Sequence, residues 1–167
     1  MTYFRKTTMV AVMLGLAACA GPQRFDNPVS TGSGSMTGSV DDPTSGTYFS
    51  QRIGDRVLFA VDQSSLSPEA QRILDGQASW LLGNPGYLAI IEGHADEQGT
   101  REYNLALGAR RANAVMEYLL ARGVPGSRLK FVSYGKERPV EICSEESCYT
   151  RNRRAVTVLS AASFGMG

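Results

Sequence analysis

A carboxylate and a guanidinium, Asp96 and Arg111, are the side chains of this sequence whose types and spacing best suit a small charged ligand. Asp96 lies in a polar loop between a predicted strand and a predicted helix, and Arg111 lies about three turns into that helix. The loop can fold back beside the helix, whose first backbone N–H groups favour anionic groups. Held apart across a groove, the two groups can clamp a zwitterion: the carboxylate binds an ammonium group, and the guanidinium binds a carboxylate through two parallel hydrogen bonds.

The same residues also have purely structural interpretations. Asp96 could simply cap a turn of the loop. Arg110 and Arg111 could both lie on a solvated helix face, and we expect Arg110 to be the solvated one of the pair. His94, the only histidine of the chain, is expected to be a satisfied loop residue with no direct role. Trp80 is expected to lie in the core.

An enzyme is a second hypothesis, because His94, Asp96 and Glu97 could form a zinc site or an acid–base pair. Catalytic zinc normally takes three protein ligands, and one histidine makes such a site improbable. The sequence has no Gly-x-Ser-x-Gly element. We therefore expect no catalysis and no metal. A third hypothesis is a domain that only binds other proteins.

The elements that position these residues alternate between strands and helices. Apolar and β-branched runs predict strands at residues 56–61, 87–92, 129–134 and 155–160. One helix is predicted from Ser67-Pro68-Glu69, an N-cap with proline and an acid in the first turn, to the helix-breaking Asn84-Pro85-Gly86. A second, with one apolar stripe, is predicted over residues 101–122. The order β-α-β-α-β-loop-β predicts an α+β fold with both helices on one face of a small mixed four-stranded sheet.

The first nineteen residues have the pattern of an export signal. Arg5 and Lys6 precede an apolar run of about ten residues, too short to cross a bilayer, and the run ends in Leu16-Ala17-Ala18-Cys19. Small residues before a cysteine resemble the lipobox of bacterial lipoproteins, in which the cysteine becomes the mature N-terminus and carries acyl chains. An ordinary signal peptide with an incidental cysteine is the alternative. A lipobox makes residues 1–18 the signal peptide and Cys19 the lipidation site.

Composition divides the remaining chain into a linker and one domain. Residues 19–50 are predicted to be a lipid-anchored, disordered linker, because the glycine- and serine-rich residues 30–39 have almost nothing to bury. Residues 51–167 are long enough for one folded domain. The formal charge of +1 becomes −1 when Arg5 and Lys6 leave with the signal. A near-neutral domain does not attract nucleic acid non-specifically, so we expect no nucleic-acid partner.

Two cysteines remain once Cys19 is acylated, Cys143 and Cys148. An exported protein meets an oxidising compartment, which favours a small disulfide-closed loop. A metal site is the alternative, and the lack of a nearby histidine disfavours it.

Three spaced motifs occupy the region that is predicted to fold. They are Gly93-His94-Ala95-Asp96 with Gly99, Asn104-Leu105-Ala106-Leu107 and Arg110-Arg111-Ala112; then Ser133-Tyr134-Gly135-Lys136; and then Asn152-Arg153-Arg154-Ala155-Val156. Together they resemble the OmpA-like peptidoglycan-binding domains over about residues 55–160. The runs 92–97 and 132–137 are most similar to those of peptidoglycan-associated lipoproteins, and the lipobox and linker also fit that family.

The resemblance implies a bound ligand without catalysis or cofactor, namely the meso-diaminopimelate of peptidoglycan stem peptides. Asp96 would bind the ammonium group and Arg111 the carboxylate at the free end of that residue. Further family positions match Asp62, as another pocket acid, and, as lesser positions, Asn104, Leu105 and Arg154. Val61 departs from the family, which often has an aromatic residue there.

The resemblance also implies partners and a location. The family binds TolB, within the Tol-Pal system, through a surface that overlaps the ligand site. Ala20 follows Cys19 where inner-membrane retention would require aspartate, which implies transport to the outer membrane. We therefore expect an outer-membrane lipoprotein that faces the periplasm and tethers that membrane to the cell wall, with a role in envelope integrity and cell division.

Overall fold

The computed structural model describes residues 38–161. Its helices are α1 (Gly46–Tyr48), α2 (Pro68–Gly83), α3 (Arg101–Ala121) and α4 (Glu146–Asn152), and its strands are β1 (Arg56–Leu58), β2 (Tyr87–His94), β3 (Leu129–Gly135) and β4 (Arg154–Ala161). A π-helical segment, Phe49–Gly54, follows α1, and a 3-10 turn, Gly126–Arg128, precedes β3. The predicted signal peptide, Cys19 and residues 19–37 of the predicted linker lie outside the described residues.

The four strands form one mixed sheet in the order β1-β4-β2-β3. β4 pairs antiparallel with both β1 and β2, whereas β2 and β3 are parallel and are connected through α3. Helices α2 and α3 supply most of the helical part of the core that covers the sheet. The predicted α+β fold with a mixed four-stranded sheet is therefore confirmed.

The long helices begin and end where local chemistry stabilises their ends. The Ser67 hydroxyl accepts from the backbone N–H of Ala70 at 3.1 Å, and the Thr100 hydroxyl caps α3 in the same way. At the other end of α2, the Arg128 guanidinium donates to backbone carbonyls of Leu81, Asn84 and Tyr87, at 2.6 to 2.9 Å. Arg128 thus satisfies carbonyls that the helix end leaves without intrahelical donors.

Two glycines bring α3 close to the sheet at the end of β2. A Cβ on Gly93 would lie 1.9 Å from the carbonyl oxygen of Gly108, so no larger residue fits at this crossing. Nearby, the apolar side chains Leu74, Ile91 and Leu119 are fully buried. This close approach fixes where the end of β2 and the first half of α3 stand relative to each other.

The fold begins earlier in the chain than the predicted boundary between residues 50 and 51. Phe49 is 1% exposed and its ring lies 4.9 Å from that of Trp80. The Trp80 indole N–H donates to the carbonyl of Pro43 at 2.7 Å, and the Tyr87 hydroxyl donates to that of Thr44. Residues 43–50 therefore belong to the domain, because they cover the predicted core residue Trp80 and satisfy its polar atom.

Two further elements differ from the sequence prediction. β1 ends at Leu58 rather than at residue 61, and the chain then turns through Asp62, which has a φ of 53°. The segment 135–150, predicted as a loop, contains the start of α4, which runs over Glu146–Asn152. Asn152 anchors that region, because its side-chain oxygen accepts from the backbone N–H groups of Val140 and Glu141.

Candidate functional site

Asp62, Asp96 and Arg111 line a single cavity of about 160 Å³, together with Val61 and Tyr103 among others. The cavity lies between the turn after β1, the loop after β2 and the first half of α3. The turn brings Asp62 to it, the end of β2 brings Asp96, and α3 carries Arg111. The structure thus places the two residues of the predicted clamp, and the second acid, around one space.

Arg111 is held rigidly, because its side chain is fully buried and bonded to three separate parts of the backbone. Nε donates to the carbonyl of Gln63 at 2.8 Å, Nη1 to that of His94 at 2.8 Å and Nη2 to that of Ala60 at 3.1 Å. Its guanidinium also lies 5.2 Å from the centre of the Phe59 ring. A guanidinium has five N–H donors, so these bonds leave one on Nη1 and one on Nη2.

Burial lowers the pKa of Arg111 to about 10, and the negative charge of Asp96 acts in the opposite direction. Desolvation disfavours the charged form of any buried base. At neutral pH the guanidinium is nevertheless protonated. It therefore presents a positive charge at the cavity.

Asp96 is also buried, and it is paired inside the protein. Its Oδ2 lies 3.1 Å from Nη1 of Arg153, and its Oδ1 accepts from the backbone N–H of Gln98 at 3.2 Å. Arg153 in turn donates to the carboxylate of Glu146 and to the carbonyl of Phe59. The role of Arg153 was missed from the sequence, although the residue lies in the third motif, because the pairing spans 57 positions.

Asp62 is the exposed acid of the cavity. Its carboxylate accepts a hydrogen bond of 3.1 Å from the hydroxyl of Tyr103, which is 43% exposed on the first turn of α3. The sequence analysis did not select Tyr103, which stands directly before the Asn104-Leu105 motif. Asp62 and Tyr103 therefore line the cavity as a hydrogen-bonded pair of exposed residues, together with the buried Arg111.

The loop that carries Asp96 is fixed by side chains from α3 and from the region after β3. The Asn104 amide donates to the carbonyl of Gln98 at 2.7 Å. Lys136 Nζ donates to the carbonyls of Glu97 and Gly99 at 3.3 and 2.7 Å. The loop is therefore preorganised, which reduces the entropy lost when a ligand binds.

Three residues that matched lesser positions of the family site do not line the cavity. Asn104 is buried and acts on the loop, as described above. Leu105 is 47% exposed, and its carbonyl accepts from the Ser133 hydroxyl. Arg154 is buried on β4, where it donates to the carbonyls of Asn152 and Arg138.

The two residues interpreted as structural agree with that interpretation in different degrees. Arg110 is exposed, with its guanidinium 5.9 Å from the Tyr103 ring. His94 is 2% exposed at the end of β2 and stacks on Tyr134 with 5.6 Å between ring centres. Neither of its ring nitrogens has a hydrogen-bond partner within the described residues. His94 is therefore buried, but its polar atoms are not satisfied, which differs from the sequence prediction.

A larger cavity, of about 410 Å³, lies on another part of the domain, between β1, the start of α2 and Val140. Its lining is mainly apolar, with Leu58 and Ile73, and it includes charged residues of both signs. None of the predicted site residues lines it. Volume alone favours this cavity, but fixed opposite charges around a small space favour the cavity at Arg111.

Cys143 and Cys148 form a disulfide in the structure, with their Cα atoms 6.0 Å apart. Residues 38–161 contain no group of three or more His, Cys, Asp or Glu side chains placed to hold a metal ion. In the same part of the chain, no helix is both long and apolar enough to span a membrane.

Residues 58–153 match the OmpA family. The chain belongs to this family. Among curated OmpA-family relatives it is 50% identical, over 163 residues, to the peptidoglycan-associated lipoprotein of Rhizobium meliloti (strain 1021), covering 96% of this chain and 92% of that protein. It is 47% identical over 123 residues to the protein of the same name from Pseudomonas aeruginosa, covering 74% and 72%.

Solved structures agree with the OmpA-family assignment. The crystal structure of the peptidoglycan-associated lipoprotein from Burkholderia pseudomallei has 37% sequence identity and a TM-score of 0.65, covering 72% of this chain and 98% of that one. The C-terminal domain of Helicobacter pylori MotB, at 21% identity and a TM-score of 0.61, shows the same fold, covering 65% and 86%. Membership of the OmpA family also decides against an enzyme.

Proposed function

We propose that this protein binds peptidoglycan non-covalently, by holding the free end of meso-diaminopimelate in the cavity between Asp62, Asp96 and Arg111. The observation that carries the proposal is that two carboxylates, Asp62 and Asp96, and the guanidinium of Arg111 line the same small cavity. Relatives at 50% and 47% identity that are named peptidoglycan-associated lipoproteins support peptidoglycan as the ligand.

The free donors of Arg111 suit a ligand carboxylate. One N–H on each Nη is left after the three backbone carbonyls are satisfied. Two N–H groups on the two Nη atoms are the donors of a bidentate guanidinium–carboxylate pair. Because the guanidinium is already held by the backbone, a ligand does not have to order it.

The acids suit a ligand ammonium group. Asp62 is exposed and can be reached directly, whereas Asp96 is buried and shares its charge with Arg153. Asp96 still has lone pairs beyond those used by Arg153 and Gln98. We propose that the ammonium group lies between the two carboxylates, with Asp62 as the contact that the sequence analysis placed second.

The ligand itself offers the cleanest test, because changing it leaves the protein intact. We would titrate the full chain, in detergent micelles, with a diaminopimelate stem peptide and with the same peptide carrying lysine. Lysine lacks the distal carboxylate, and a charge-assisted hydrogen bond is worth about 1.5–3 kcal/mol. The lysine peptide should therefore bind at least about tenfold more weakly. Equal affinities would contradict the clamp.

Protein variants test the acid side of the cavity. Asp62→Asn and Asp96→Asn keep the size of each side chain and should each weaken binding of the diaminopimelate peptide. Arg110→Ala is the matched control, because it removes an exposed charge one residue from Arg111 and should leave binding unchanged. Arg111→Ala is a poorer test than the sequence suggested, since it also leaves three backbone carbonyls without their donor.

We also propose the anchoring that the sequence indicates. Cys19 carries the acyl chains, residues 1–18 are the removed signal, and the residues between Cys19 and the domain are a tether to the outer membrane. The domain then faces the periplasm and connects that membrane to the cell wall. Mass spectrometry of the N-terminal peptide tests this: an unmodified Cys19 in cells would rule out the anchor.

TolB and the Tol-Pal system are proposed as protein partners, on the resemblance of the sequence motifs. A TolB surface that overlaps the cavity predicts competition with the cell-wall ligand. Excess diaminopimelate stem peptide should therefore reduce the amount of purified TolB that the full chain retains. Retention unaffected by saturating peptide would contradict an overlapping surface.

A further inference from the structure

A disulfide-closed segment stands directly against the loop that carries Asp96. Residues 143–152, here called the disulfide segment, contain the Cys143–Cys148 disulfide and α4. The Ser144 hydroxyl, inside the disulfide loop, donates to Oε1 of Glu97 at 2.7 Å, and the Tyr149 hydroxyl donates to the same atom at 2.8 Å. These two bonds lower the pKa of Glu97, since both favour its charged form. Glu97, the residue next to Asp96, is thus held by two hydroxyl groups of the disulfide segment.

A second connection reaches Asp96 itself. Glu146, the first residue of α4, accepts from the guanidinium of Arg153, which also donates to Asp96. Thr150, one turn further along α4, accepts from the same guanidinium at 3.0 Å. Arg153 therefore has its orientation set by α4 on one side and sets the orientation of the Asp96 carboxylate on the other.

The conformation of the disulfide segment depends on its disulfide more than that of a longer element would. α4 has seven residues, and isolated helices this short are unstable in water because the first turn is costly to form. Cys148 is buried, whereas Ser144, Glu146 and most of their neighbours are exposed. Without the covalent link, residues 143–147 have little buried apolar surface to hold them in place.

We infer that the Cys143–Cys148 disulfide positions the ligand-binding loop through the bonds of Ser144 and Tyr149 to Glu97, and that tight ligand binding requires this disulfide. This inference rests on the proposed function of the cavity. The cysteines are positioning residues, since neither lines the cavity or touches the proposed ligand.

The test compares the full chain with the Cys143→Ser/Cys148→Ser variant, which cannot form the bond. Both are titrated with the diaminopimelate stem peptide by calorimetry in detergent micelles. The variant should bind about tenfold more weakly, which is about 1.4 kcal/mol. The amide resonance of Gln98, whose N–H donates to Asp96, should also shift. Thermal unfolding checks that the rest of the domain stays folded.

A second variant, Ser144→Ala/Tyr149→Phe, removes the two bonds to Glu97 while keeping the disulfide. If the disulfide acts through these contacts, this variant also loses affinity, and the losses of the two variants are not additive when they are combined. Because Ser144→Ala/Tyr149→Phe keeps the covalent link, it also tests the inference if Cys143→Ser/Cys148→Ser, called the serine variant below, does not fold.

The outcomes separate the two proposals. If the parent chain does not bind the peptide, the proposed function fails. If the parent binds and the serine variant binds within about twofold of it, the disulfide inference is overturned and the function stands. Fully additive losses would also overturn the inference, since the disulfide would then act independently of its contacts with the loop. If the serine variant does not fold, parent-like binding by Ser144→Ala/Tyr149→Phe overturns it.

Discussion

Part of the loss of stability in acid should come from one buried side chain, His94. The imidazole is 2% exposed, and its pKa is lowered from 6.5 to about 4, first by desolvation and then by the positive charges of Arg154 and Arg138. The groups that face it are Glu92 on β2, whose carboxylate is 3.7 Å from Nε2, Tyr134 on β3, Arg138 after β3 and Arg154 on β4. The Glu92 carboxylate does not offset burial and two guanidinium groups.

The magnitude follows from the difference in pKa between the folded and unfolded states. Each pKa unit corresponds to about 1.36 kcal/mol, so the full effect of the shift from 6.5 to about 4 is about 3 kcal/mol. Between these two values the unfolded chain binds the proton and the folded chain does not. Stability therefore falls as the pH falls from about 6.5 to about 4, and His94 has no effect on it above that window.

Urea unfolding at several pH values between 7 and 4 measures this loss, and His94→Phe isolates it. Phenylalanine keeps a ring against Tyr134 but cannot bind a proton. Acidic residues affect both proteins alike, so the parent should lose about 3 kcal/mol more than the variant over this range. Parallel pH profiles, or an NMR titration that gives His94 a pKa near 6.5, would show that the reasoning is incorrect.

Three other substitutions should change the free energy of unfolding, measured by urea denaturation. Phe49→Ala should lower the free energy of unfolding by about 3–5 kcal/mol, because the substitution empties a core position that the sequence analysis assigned to the linker. A change below about 1 kcal/mol would indicate that Phe49 belongs to the linker after all. Arg111→Ala should cost more than about 3 kcal/mol, because it empties a fully buried position and removes the donor of three backbone carbonyls, one of them buried. Arg110→Ala should stay within about 0.5 kcal/mol. Gly93→Ala should be severely destabilising, since its Cβ would meet the α3 backbone, while Gly86→Ala, with open space around it, should not be; similar costs would exclude the backbone clash as the cause.

Local signals explain why much of the fold could be predicted. Ser67-Pro68 and Thr100 carry their capping chemistry in adjacent residues, and the apolar periodicity of α3 is visible without a structure. α4 carries no such signal: it is short and polar, and it is held by a disulfide and by contacts with Glu97 and Arg153. Its existence depends on partners that the sequence does not place beside it.

The N-terminal boundary shows the same limit. Residues 43–50 have the composition of a linker apart from Tyr48 and Phe49, and composition was the only sequence criterion available. What orders them is the surface of Trp80 on α2, more than thirty positions away. A linker and a packed segment of this kind differ only in whether such a surface lies within reach.

The sequence by itself determined Asp62, Asp96 and Arg111 as candidate site residues, the family, and the order of the four strands and two long helices, because motifs, caps and periodicity are local properties. Only the tertiary structure decided which of these charged side chains are buried, paired or exposed. It buried Arg111 against carbonyls 48 and 51 positions earlier in the chain, and it paired Asp96 with Arg153. It left Asp62 exposed in the lining of the cavity. Burial and pairing depend on which distant segments share a space, and that is set by packing of the whole domain.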